Sequence, residues 1–135
     1  MLKLIILKIN ERRRLNGDRI KVSTVGKKVY MKKIVDQIKK DQYKIILREK
    51  NEMFINQFKL DKIKIKKMLL VLKYEDIIYL VKDIEYLKYG PEKLVVFKKQ
   101  YQLVDKYGNN KKVLVYIKIK MKEGILPIIS FHQNE

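Results

Sequence analysis

The sequence has no cysteine and a single histidine, His132, in 135 residues. The first absence rules out a disulfide framework and a thiolate metal site. The second argues against zinc, which draws on several His, Cys or carboxylate ligands, so no metal and no cofactor is expected. Acidic residues are scarce too: 15 Asp+Glu stand against 33 Lys+Arg, a formal net charge of +18. No segment reaches the roughly 18 uninterrupted apolar residues of a membrane span. The opening "MLKLIILKIN" is broken by Lys3 and Lys8, and no small-residue cleavage site follows, so it does not read as a signal peptide. The expectation is a soluble, cytoplasmic protein. P-loop, GxGxxG and helix-turn-helix signatures are missing, as are internal repeats and low-complexity stretches.

What is present is enough apolar material for a core. Apolar residues make up 47% of a chain of one domain's length. The basic excess favours a polyanion such as nucleic acid, or an acidic protein partner. Only five of the basic residues are arginine, and the wealth of Ile, Lys, Asn and Tyr also fits an A/T-rich genome. Residues 1–30 carry nine basic and two acidic side chains. They read as a basic extension, a β-hairpin of "LKLIILKI" and "RIKVSTVGKKVY" around "NERRRLNGD". Arg12, Arg13 and Arg14 sit at its tip, as a phosphate contact or a solvated turn. Translation starting at Met31 would make this segment an upstream extension.

The pattern turns helical at "MKKIVDQIKKDQ", with Ile34, Val35 and Ile38 on one face. "YKIILRE" predicts a short strand, and "KNEMFINQF" a short helix with Phe54 and Phe58 as a core pair. Asp61 caps a further helix whose Ile65, Met68, Leu69 and Leu72 form an apolar stripe. "YEDIIYLVKDI" predicts another short helix, acidic in its first turn. Beyond Gly90 and Pro91, three strands follow: "KLVVFKKQYQLV", "KKVLVYIKIKM" and "ILPIISFH", joined by "DKYGNN" and "KEG". The fold class is therefore α+β, a small antiparallel β-sheet meander packed against N-terminal helices, over residues 31–135.

Side chains alternate along a strand, so parity sorts the sheet into two faces. Val113, Val115, Ile117, Ile119 and Met121 point one way, and Ile129 shares a face with Phe131. An open face then gathers Tyr116, Lys118, Lys120, Ser130 and His132, with either Lys98 or Lys99. Such a face has the parts for cutting RNA without a metal. The substrate 2′-OH is the nucleophile, so the protein supplies a base, cations for the phosphorane, and an acid for the leaving 5′-oxygen. Histidine moves protons near neutral pH, lysines hold phosphate, and tyrosine stacks a base or donates a proton. The same residues also suit a merely solvated sheet face, with His132 as a strand end.

Three stretches carry a family likeness: "IKKDQYKIILREKNEMFINQFKLDKIKIKKMLLVLKYED", "GPEKLVVFKK" and "VLVYIKIKMKEGILPIISFH". In order, over roughly residues 31–135, they resemble the MqsR family of toxins from bacterial toxin–antitoxin systems. The resemblance implies a RelE-like ribonuclease fold. It also implies a ribosome-independent, metal-free mRNA endoribonuclease that arrests growth and is held inactive by an antitoxin from the adjacent gene, usually one with a helix-turn-helix part. Tyr116 and Lys118 match the family's "YIK" strand, and His132 its terminal polar position, where one branch has lysine. Lys99 matches the lysine of "FGK", with Lys98 at the glycine. The helical "DYY" segment reads "DIIY", leaving Tyr79, with Lys82 nearby, and Val95 stands near the family's tryptophan. The implied catalytic set is His132, Tyr116, Lys118 and Lys99, with Lys98, Lys120, Tyr79, Lys82 and Ser130 contacting RNA. The alternative is a nucleic-acid-binding module that keeps the fold without the chemistry.

Overall fold

The structure, a computed structural model, describes residues 19–83 and 92–134. The proposed hairpin tip at Arg12–Arg14 and the break at Gly90–Pro91 lie outside the described residues. Ten elements follow in order: β1 (Arg19–Ile20), α1 (Thr24–Lys39), β2 (Tyr43–Ile45), α2 (Glu49–Gln57), α3 (Lys62–Leu70), a 3₁₀ turn (Tyr74–Asp76), β3 (Ile77–Asp83), β4 (Glu92–Val104), β5 (Asn110–Lys120) and β6 (Leu126–Gln133). The strands form one sheet in the order β1-β3-β4-β5-β6-β2. Every pairing is antiparallel except the last, in which β2 runs parallel to β6. The architecture is α+β.

Helix α1 begins well before Met31. Ser23 ends the extended chain and its hydroxyl accepts from the Gly26 amide at 3.1 Å, a side-chain cap that starts the helix at Thr24. The strand expected over "RIKVSTVGKKVY" is thus limited to Arg19–Ile20. The boundary expected at 30/31 falls inside a helix that runs through it unbroken, with Met31, Ile34 and Ile38 buried. The helix stops on Asp41 at φ 57°, where the Gln42 amide bonds the Gln37 carbonyl at 2.8 Å. Lys59, at φ 46°, ends α2 in the same way, with the Leu60 amide on the Ile55 carbonyl. Both are Schellman endings, which reverse the chain in the left-handed region.

Asp61 caps α3 as its position predicts, accepting from the Lys64 amide at 2.8 Å. The stripe of Ile65, Met68, Leu69 and Leu72 is buried. The Phe54 and Phe58 rings lie 5.2 Å apart, and Phe54 meets Phe131 edge-on at 5.5 Å. Against these helices the sheet turns Val95, Phe97, Val113, Val115, Ile117, Ile119, Ile128 and Phe131, all 0–2% exposed. Truncating one of the two phenylalanines to alanine costs about 3–5 kcal/mol.

The segment "YEDIIYLVKDI" is not a helix. After a single 3₁₀ turn it is strand β3, paired along its length with β4. Five consecutive β-branched, aromatic or apolar residues, Ile77 to Val81, prefer the pleated environment and fill both faces of it. Leu80 enters the main core, while Val81 packs on the opposite face with Leu94 and Val96. The acidic pair that resembled a helix start serves the turn instead: Asp76 accepts from the Lys73 amide at 2.8 Å.

Candidate active site on the sheet face

Cross-strand register decides which side chains meet. Tyr116 on β5 lies directly between Lys98 on β4 and His132 on β6. One step along, Tyr79, Val96, Lys118 and Ser130 form the next row on the same face. Directly opposed residues hold their Cβ atoms about 4.5–5.5 Å apart, within mutual reach of such side chains. The Tyr116 and His132 rings are stacked, with centroids at 5.6 Å and planes inclined by 28°. The Lys118 ammonium sits over the Tyr116 ring at 5.8 Å from its centroid. His132, Tyr116, Lys118 and Lys98 therefore form one cluster at the β6 end of the face.

His132 also has a defined ring orientation. Its Nδ1 lies 2.9 Å from the Gln133 carbonyl oxygen. A carbonyl only accepts, so in the neutral ring this contact places the proton on Nδ1 and leaves Nε2 with the lone pair. The ring lines a cleft of about 290 Å³ at the strand end, with Lys50, Met53, Phe54 and Gln57 of α2 and with Gln133 and Asn134. The imidazole thus belongs to both the sheet cluster and a cleft roomy enough for a planar group.

Five expected site residues remain, of which four have described side chains. Lys99 pairs in register with Val115, on the helix side of the sheet, and its ammonium bonds Asp76 at 3.0 Å. It is a cross-brace between β4 and the 3₁₀ turn, and Lys98 is the β4 cation on the site face. Lys120 and Ser130 do lie on the expected face, yet they are 7% and 3% exposed, so neither is a surface contact for RNA. Lys82 is in β3, and its side chain lies outside the described residues. Tyr79 shares the face and is half-buried against Val81, Leu94 and Val96.

The face is also less open than simple alternation implies. A register shift between Lys118 and Ile119 leaves Ile129 bulged from β6, so Ile129 packs on the Val96 side instead of sharing Phe131's face. An apolar cluster of Val81, Leu94 and Val96, with Tyr79, Tyr116 and Ile129 beside it, fills that half of the face. The polar cluster is confined to one corner.

Sequence reasoning missed Asn51. It is 1% exposed on α2 beside the stretch of β6 that β2 does not cover. Its amide nitrogen donates to the Ile129 carbonyl at 3.0 Å and to the Ile46 carbonyl at 2.9 Å, while its oxygen accepts from the Phe131 amide at 2.8 Å. One side chain thus replaces a neighbouring strand and fixes the backbone just ahead of His132. The available signal was a polar residue three positions before Phe54, on the buried side of a short helix. Among the described residues, no three His, Cys, Asp or Glu side chains come together in a way that could hold a metal ion. No family model, no curated protein and no solved structure matches the chain.

Proposed function

We propose that this chain is a metal-free endoribonuclease of the MqsR toxin type with a RelE-like fold, acting on mRNA in the cytoplasm and restrained by an antitoxin. The observation that carries the reading is the corner cluster in which His132 stacks on Tyr116 between Lys98 and Lys118. In this reading His132 Nε2 takes the proton of the substrate 2′-OH, whose oxygen attacks the adjacent phosphorus. The P–O5′ bond breaks, leaving a 2′,3′-cyclic phosphate and a 5′-hydroxyl fragment. Lys98 and Lys118 stabilise the charge that develops on the phosphorane, and Tyr116 holds the phosphate or supplies the proton to the leaving oxygen. The cleft beside His132 accepts a base of the unpaired strand.

The high positive charge supports the reading by favouring association with RNA. Among the described residues no helix is long and apolar enough to cross a membrane. The test compares wild type and His132→Ala on a synthetic labelled RNA in EDTA. Loss of cleavage with RNA affinity kept makes His132 a reacting group. Binding without cleavage by the wild type selects the non-catalytic module instead.

A further inference from the structure

The strand that borders the start of β6, remote in sequence from the proposed catalytic cluster, carries a second surface. Among the described residues strand β2 is the edge of the sheet, paired with β6 on one side only. The Ile46 amide bonds the Ile128 carbonyl and the Leu126 amide bonds the Gln42 carbonyl, each at 3.0 Å. In a parallel ladder, Gln42, Lys44 and Ile46 therefore turn their backbone groups toward β6, and Tyr43 and Ile45 turn theirs to the outer edge. Beside this edge runs a groove of about 680 Å³, lined by Asp41, Tyr43, Lys44, Ile45 and, from α3, Lys62, Ile63, Ile65 and Lys66.

We propose that this edge and groove dock an extended, acidic segment of another protein, which adds a strand to the sheet alongside β2. An outward-facing row of N–H and C=O groups is a template for a further strand. The groove floor is aliphatic, and Ile63 is a large apolar side chain left 66% exposed at its rim. Such a floor suits alternate apolar side chains of a peptide better than a ribose–phosphate chain. Charge selects the occupant. Lys44, Lys62 and Lys66 line the groove against one carboxylate, Asp41, which already bridges Lys66 at 2.8 Å. A second copy of this chain, at +18, brings repulsion to the same edge, whereas a segment rich in Asp and Glu brings the complementary sign. The proposal is independent of the ribonuclease reading, and an RNA cleavage assay on the same sample separates the two.

The experiment titrates the isotope-labelled full chain with a blocked eight-residue peptide in which valine alternates with glutamate. The same peptide with lysine for glutamate, and a uridine decamer, are run in parallel. The expected result is that the acidic peptide slows amide exchange at Tyr43 and Ile45 by at least about tenfold, while the lysine peptide does not. The double variant Lys44→Glu/Lys62→Glu alters two exposed side chains, keeps a dispersed amide spectrum, and weakens the peptide by about tenfold. Absence of binding at millimolar peptide overturns the proposal. So does a response centred on Tyr116 and His132, affinity unchanged by the charge reversal, or stronger protection of these amides by the uridine decamer.

Discussion

At the scale of single residues, two adjacent lysines on β4 turn to opposite sides of the sheet. Lys98 stands opposite Tyr116, and Lys99 reaches the other way to Asp76. Lys98→Ala should lower RNA cleavage by about tenfold or more with little change in melting temperature, as expected for one lost charge contact at a transition state. Lys99→Met should do the reverse, costing about 1.5–3 kcal/mol in thermal unfolding through the largely buried, hydrogen-bonded ion pair and leaving the cleavage rate within about twofold. A second residue-scale prediction concerns Asp105, in the turn between β4 and β5. The Asn109 and Tyr107 amides and the Lys111 ammonium hold its carboxyl below the usual range, the Asn109 amide most of all, against the opposing effect of burial. A folded-state pKa lowered below the unfolded value near about 3.9 gives stability that is complete above that pH and fades as pH falls through the depressed value. Chemical unfolding of Asp105→Asn should therefore show lower stability at pH 7 and a shallower loss between about pH 4 and 2 than wild type.

Between elements, the decisive contact is Asn51 of α2 with β6. Asn51→Ala leaves the buried Phe131 amide without its side-chain acceptor, a penalty of about 1–3 kcal/mol, and the Ile129 carbonyl with only its longer contact to Arg48 at 3.4 Å. The expected outcome is a melting temperature several degrees lower, with fast amide exchange confined to Phe131 and His132 below the global transition. Exchange there as slow as in wild type would show that β6 keeps its edge without α2. Much of the architecture was legible at this scale. The apolar stripe of α3, the Phe54–Phe58 pair, the Asp61 cap and the alternation of β5 all follow from local periodicity, and each is where spacing puts it. What local patterns did not reveal depends on partners distant in the chain. Strand β3 carries apolar residues on both faces, so alternation gives no signal until β4 pairs with it. The bulge at Ile129 reverses one position of β6, and parity counted from Phe131 cannot detect that. The burial of Lys120 and Ser130 follows from the apolar cluster beside them. Lys99 faces the helices because register with Val115 sets its side, a fact that resides in the pairing of two strands.

For the whole molecule, we propose two working regions on a strongly basic chain, the corner cluster and the β2 groove. RNA is proposed to meet the His132 corner near the end of β6, and an acidic protein segment the β2 edge that borders the start of the same strand. Both proposed uses would draw on the basic excess, and the sheet that carries them is held by a core on its helix side and a smaller apolar cluster on its other face. The central claim is the chemistry at His132, and the chemical nature of the cut ends tests it most directly. Wild-type protein would be incubated in EDTA with a synthetic RNA, and the upstream fragment weighed by mass spectrometry. The account predicts a 2′,3′-cyclic phosphate on that fragment and a 5′-hydroxyl on its partner. An upstream 3′-hydroxyl with a downstream 5′-phosphate would mean that water, not the 2′-OH, attacked, and would contradict the account.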